Sequence, residues 1–208
     1  MKKSVVVAAI LVLFAGLSPA EEPPSWVPLL PGVGFGIVTD ILEIPGQGVL
    51  IACGGTVGPW DYSCVSRSTN QGATWTYVYG QLYGGPFIQL TRDSATGRVW
   101  MLRPNNSRPL YYSDDLGVNW TSMDGPNPSN YAPRSMELVG DYLYYGAEVN
   151  SPYSICLYRM RQDSLQWEMV TDYTECNAIT RLKYHDGKLL VFARDTNGLQ
   201  TRVFSHTP

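Results

Sequence analysis

The chain has little of what most metal or nucleophile chemistry needs. Among 208 residues there are two histidines, His185 and His206, and four cysteines, none spaced Cys-x-x-Cys. A tetrahedral metal site has no ligand set here, so no metal is expected. Neither Gly-x-Ser-x-Gly nor His-Glu-x-x-His occurs, which removes the nucleophile elbow and the zinc-protease helix. Gly32-Val33-Gly34-Phe35-Gly36 lacks the third glycine of a dinucleotide loop and is not followed by a helix, so no nucleotide cofactor is expected. Helical periodicity is missing throughout, which points to an all-β chain. Basic residues are also short. Leaving out Lys2 and Lys3, 13 Lys and Arg face 18 Asp and Glu, a balance of −5. That argues against nucleic acid and anionic membrane surfaces as partners.

Long apolar runs are missing too. Val5 to Leu17 spans 13 residues, short of the ~20 a membrane helix needs. Lys2 and Lys3 precede the run and Ser18-Pro19-Ala20 follow it, the pattern of a secretory signal peptide over 1–20. The remaining 188 residues (208 − 20), 21–208, suit one domain, exported to the periplasm or medium. Glu21, not a cysteine, stands directly after the cleavage site, so a lipid anchor there is not expected, and no membrane insertion is expected after cleavage.

What the chain does have is a repeated corner. Ser113-Asp114-Asp115-Leu116-Gly117-Val118-Asn119-Trp120 lies between two β-like runs. Asp115 can fold its carboxylate onto backbone N–H groups, Gly117 can take a positive φ, and Trp120 opens the next strand. Ser68, Asn70, Gly72 and Trp75 repeat the pattern at the same offsets. A third copy, 160–167, keeps only Trp167. The tryptophans lie 45 and 47 residues apart, and Trp26 lies 49 before Trp75. Short strands at a period of about 40–50 residues are the mark of a β-propeller.

The motif resembles the Asp-box, Ser-x-Asp-x-Gly-x-Thr-Trp, or bacterial neuraminidase repeat, of sialidase-like propellers. Asn119 stands for its Thr in the second copy, and Asn70 for its Asp in the first. The resemblance implies the fold and leaves the activity open, because such propellers include glycosidases, lectins and receptors.

Strands fall into four repeats. The first is Ile37–Ile44, Val49–Cys53, Cys64–Ser68 and Trp75–Tyr79; the second is Phe87–Thr91, Val99–Leu102, Leu110–Ser113 and Trp120–Met123. The third is Ser135–Val139, Tyr142–Gly146, Ile155–Met160 and Trp167–Thr171; the fourth is Ile179–Tyr184, Leu189–Ala193 and Thr201–Ser205. The expectation is a small propeller of four blades, each of four antiparallel strands. An N-terminal strand, Trp26–Leu30, would complete the last blade and close the ring, giving a monomer. The rival is a larger ring completed by a second chain.

Blade connectivity places the corners on one face and the long loops, 54–63, 80–86, 103–109, 124–134, 147–154, 172–178 and 194–200, on the other. Four cysteines allow three pairings. This map favours Cys53–Cys64 and Cys156–Cys176 disulfides, each stabilising by about 2–4 kcal/mol.

The loop face collects aromatic, carboxylate and guanidinium residues. Trp60, Tyr62, Arg103, Tyr131, Arg134 and Tyr153 form the candidate binding set, with carboxylates Asp61, Glu148, Glu175 and Asp195 nearby. Such a mixture suits a sugar, which offers C–H faces and hydroxyl edges. Tyrosines packing among themselves is the plainer use of the same residues. The family resemblance implies, for a true sialidase, three arginines, a Tyr–Glu pair and an Asp acid. The Arg-Ile-Pro-like motif is missing; Arg103-Pro104 and Pro133-Arg134 do not match it. Arg92, Arg134 and Arg181 fall on or beside successive innermost strands, but no pattern assigns them the grip. No catalytic residue is therefore assigned. The expected function is an exported non-catalytic module binding a glycan or an extracytoplasmic protein. The alternative is a sialidase-like glycoside hydrolase with a reduced site.

Overall fold

The structure is a computed structural model that describes residues 37–56, 62–82, 87–104, 109–126, 131–150, 153–173, 176–195 and 200–208. The expected signal peptide and the Trp26–Leu30 strand lie outside the described residues. Among the described residues there are fifteen strands and no helix. The first sheet holds β1 (Ile37–Ile44), β2 (Val49–Thr56), β3 (Tyr62–Ser68) and β4 (Thr76–Leu82). The second holds β5 (Gln89–Arg92), β6 (Val99–Leu102), β7 (Leu110–Ser113) and β8 (Thr121–Met123). The third holds β9 (Tyr131–Val139), β10 (Tyr142–Asn150), β11 (Tyr153–Arg161) and β12 (Trp167–Tyr173). The fourth holds β13 (Cys176–His185), β14 (Lys188–Asp195) and β15 (Thr201–His206). All four are antiparallel and ordered as in the chain.

All fifteen strands match expected ones, and the later sheets are taller than expected. β9 runs back through Pro133 to Tyr131, and β10 and β11 extend across much of the expected 147–154 loop. Pro133 is tolerated because β9 is the innermost strand of its sheet and lies at its edge. A bulge there leaves Arg134 out of the pairing, since Gly146 pairs with Ser135 and Ala147 with Pro133.

Three apolar layers join the sheets. Ile44, Ile51, Cys53 and Val65 of the first pack on Phe87, Leu90, Val99, Met101 and Tyr111 of the second. Trp100, Leu102 and Leu110 meet Met136, Leu143, Tyr145 and Met160 of the third. Tyr144 and Leu157 meet Ile179, Leu182, Leu189 and Val191 of the fourth. Each such side chain, fully buried, stabilises by about 1.5–3 kcal/mol.

Polar clasps accompany these layers. An innermost strand is a sheet edge, with N–H groups that no fifth strand pairs. In each junction a side chain from one sheet accepts from such an N–H in the next. Leu90 donates to Asp40 Oδ2 at 2.7 Å. Met136 N–H donates to Gln89 Oε1 at 3.0 Å, and Gln89 Nε2 donates to Met136 O at 2.7 Å. Leu182 donates to Ser135 Oγ at 3.0 Å, and Tyr184 to Glu137 Oε1 at 2.9 Å. Asp40, Gln89 and Ser135 hold the same place in successive sheets.

Gln89 is buried and makes the densest clasp, also accepting from Ser135 Oγ. Changing Gln89→Leu strands the N–H and C=O of Met136 in the junction. We expect a loss of about 2–3 kcal/mol, read as a lower urea midpoint at an unchanged slope. An unchanged midpoint would refute the clasp.

Candidate functional site

The two faces are built differently. On the turn face the corners fold as the sequence implies. Ser113 Oγ donates to Asp115 Oδ1 and accepts from the N–H of Gly117 at 2.8 Å. Asp115 Oδ1 accepts from the N–H of Asn119 at 2.8 Å and of Val118 at 3.1 Å, and Asn119 Nδ2 donates to Oδ2 at 2.6 Å. Leu116 and Gly117 take φ of 58° and 82°. Ser68, Asn70 and Gly72 repeat the arrangement, with Gly72 N–H on Ser68 Oγ and Thr74 N–H on Asn70 Oδ1, both at 2.9 Å. The corners are also fasteners between sheets. Arg67 Nε on β3 donates to Leu116 O at 2.8 Å, and a Cβ on Gly117 would come within 2.6 Å of Ile51. Trp120 packs into the first junction, and Trp167 into the second, where its ring meets Tyr145 edge-on. Trp75 is part-buried after the first corner.

On the loop face a cavity of about 440 Å³ is lined by Ile88, Arg134, Ala178, Ile179, Thr180 and Arg194. Bulges create its polar part. Arg134 is the unpaired residue of β9, and Thr180 is that of β13, where Ile179 pairs with Ala193 and Arg181 with Phe192. A bulge re-aims the side chain it frees. Glu148, on β10 beside this rim, holds Arg134: Nε and Nη2 donate to its Oε2 at 3.0 and 2.7 Å. Arg134 Nη1 takes no part in that pair. The Arg134 side chain is 42% exposed against 12% for Glu148, so the guanidinium presents the charge.

Of the sequence-chosen binding set, Arg134 alone is placed on this cavity among the described residues. Arg103 is fully buried, its guanidinium 5.9 Å from the Phe87 ring centre and 3.4 Å from Tyr111 Oη, so it is a core residue. Trp60 lies outside the described residues. Tyr62, Tyr131 and Tyr153 belong to β3, β9 and β11, with side chains outside the described residues. Arg194 opens the expected 194–200 loop, whereas Thr180, Ile88 and Ile179 were missed because their sequence neighbourhood reads only as strand. Arg92 ends β5 near Gly97, at the turn face, and does not join Arg134.

The Cys53–Cys64 disulfide is not formed; both thiols are buried and unbridged. Cys53 pairs with Val65, and Cys64 with Gly54. Directly paired residues share a face and successive residues alternate, so the two thiols point to opposite sides of the sheet. Burial pushes the Cys53 thiol up to about 12 and also raises Cys64. Cys176 is buried in the third junction, while the Cys156 side chain lies outside the described residues.

No family model matches the chain, and no curated protein matches it. Solved structures do. A Hadza microbial sialidase is similar over 78% of this chain and 42% of its own, at 17% identity and a TM-score of 0.55. A sialidase of Trypanosoma rangeli is similar over 86% of this chain and 33% of its own, at 15% and 0.55. The periplasmic gluconolactonase of Pseudomonas aeruginosa is similar over 82% and 54%, at 13% and 0.52. The fold is that of a β-propeller, shared with sialidases, and the chain spans about a third to a half of the length of these three proteins.

The second corner is sensitive to acid. Burial raises the Asp115 pKa, but hydrogen bonds from Asn119, Ser113 and Val118 outweigh it and hold the carboxyl below its ordinary value. A depressed folded pKa gives stability that is present above the unfolded value of about 4 and lost as pH falls through the folded one. Asp115→Asn should cost about 0.5–1 kcal/mol at pH 7, since the carboxylate is mostly exposed. The gap to the parent should close toward pH 2, as urea midpoints at both pH values would show. An equal gap at both would remove the carboxylate from the account.

Proposed function

We propose that this chain is an exported, non-catalytic binding module that takes a glycan in its loop-face cavity. The observation that carries the reading is the pair of bulges at that rim. They set a guanidinium and a hydroxyl, Arg134 and Thr180, beside the aliphatic Ile88 and Ile179. A pyranose has the same division, with C–H patches for aliphatic side chains and hydroxyl or carboxylate edges for charged donors. Glu148 braces Arg134, so less side-chain freedom is lost on binding. Export rests on Lys2, Lys3 and the 5–17 run, with support from the similarity to a periplasmic protein.

One observation favours a second reading, a glycoside hydrolase with a reduced site. Two carboxylates, Glu148 and the buried Asp195, lie at the loop-face ends of β10 and β14, and hydrolysis by paired carboxylates needs two.

Binding of the exported chain to a glycan array, followed by calorimetry on the strongest hit, tests the first reading. Arg134→Ala should weaken that hit at least tenfold, about 1.4 kcal/mol. Binding unaffected by Arg134→Ala would move the site elsewhere. Turnover of a fluorogenic glycoside, abolished by Glu148→Gln, would replace binding with hydrolysis.

A further inference from the structure

The first and last sheets of the series carry faces that the other sheets bury. Ile41, on the side of β1 turned away from the second sheet, holds the place of Leu90, Met136 and Leu182. Those three are 6%, 0% and 0% exposed, covered by the preceding sheet, while Ile41 is 47% exposed. Its row across the sheet is Ile41, Ala52, Ser66 and Tyr77, the next is Val38, Gly54, Cys64 and Gly80. Tyr77 lies over the small residues, close enough that a Cβ on Gly80 would collide with its Oη, yet it is 52% exposed. Val38 is 45% exposed. Trp75 adds to this picture. Trp167 donates its indole N–H to Asp124 O of the preceding sheet, whereas the indole nitrogen of Trp75 is buried with no acceptor among the described residues.

The outward side of the fourth sheet is the other half. Arg181, Phe192 and Val203 form one row, and Lys183, Leu190 and Ser205 the next. Val203 is 56% exposed. Phe192 and Leu190 are only half-buried, although Tyr144, on the equivalent side of the third sheet, is fully buried. Among the described residues β1 packs on β5, β5 on β9 and β9 on β13; β13 and β1 form no such junction.

The polar groups of the two faces also match. Arg181 stands where Asp40, Gln89 and Ser135 hold their clasps, and a guanidinium has no acceptor to offer a backbone N–H. The face it would meet needs none, because the Ile41 N–H already donates to Asp40 Oδ1 at 2.9 Å. That face offers a carboxylate instead, Glu43 in the row next to Ile41, whereas Asp40 is turned to the second sheet. Arg181 on one side therefore opposes Glu43 on the other, around apolar centres of similar make-up, while Lys183 is held at 3.3 Å by Glu137 of its own chain.

We propose that these faces join those of a second copy of this chain, so that the fourth sheet of each copy packs on the first sheet of the other. The arrangement has a two-fold axis along the centre, buries both end faces at once and leaves neither end open. It makes a ring of eight sheets, in which each loop-face cavity keeps its own chain's residues.

Light scattering on the exported chain at tens of micromolar should give twice the chain mass. Ile41→Arg and Arg181→Glu should each return the mass to that of one chain while the β-sheet circular dichroism is kept. Both positions are exposed, which guards against unfolding. The pair Ile41→Cys with Phe192→Cys gives a second reading that does not depend on affinity. After oxidation it should run on a non-reducing gel as two linked chains. A single-chain mass for the parent at every concentration overturns the proposal. So does a dimer indifferent to both substitutions, or an oxidised double variant whose bridge lies within one chain, which would mean that the two ends meet each other.

Discussion

Capping an inner-strand N–H from the neighbouring sheet is the contact on which the arrangement turns. Apolar layers between sheets are strong but slide easily, since burial has no preferred direction. A hydrogen bond has one. Asp40 on Leu90, Gln89 on Met136, Ser135 on Leu182 and Glu137 on Tyr184 fix how far each sheet stands along the next. They also settle edge groups that would otherwise face the centre unpaired. On the turn face the corners tie sheet to sheet again, through Arg67 to Leu116 and Gly117 against Ile51. On the loop face the first two sheets are joined by Phe87 N–H to Gly54 O at 3.3 Å and by Thr39 Oγ1 to Phe87 O, and the cavity lies among the second, third and fourth sheets.

That division of labour shapes the cavity. Bulges in β9 and β13 interrupt pairing near the loop face, above the clasps of Ser135 and Glu137. The strand below each bulge is anchored, so the residue released there is displaced without loosening the sheet. Arg134 gains a direction from the bulge and a brace from Glu148.

Much of this was legible in the sequence, and the reasons are local. Alternating apolar runs and Asp-Gly or Gly-Asp turns mark strands because the side-chain period of a strand is two. The corner motif was legible because its chemistry, hydroxyl to carboxylate to glycine N–H, lies within eight residues. The clasps were not, because aspartate, glutamine and serine share only the ability to accept a hydrogen bond, and their partners lie 47 to 50 residues on. The bulges were hidden too, since one extra residue changes register without changing composition. The same parity that revealed strands was overlooked for Cys53 and Cys64, whose proximity in the hairpin is cancelled by their opposite faces. Arg103 reads as a surface cation until the fold lays it over Phe87.

The direction of the clasps has an evolutionary side. Each receiving group is a main-chain N–H, which every residue except proline carries. Leu90, Met136, Leu182 and Tyr184 can therefore be exchanged for many others without breaking the bond that locates their sheet, provided the core tolerates the new volume. Half of the fastening is written in backbone and leaves no trace in side-chain identity. A lineage built this way can wander far in sequence while its sheets keep their stations. Here, the shape is shared at 13–17% identity and no family model matches.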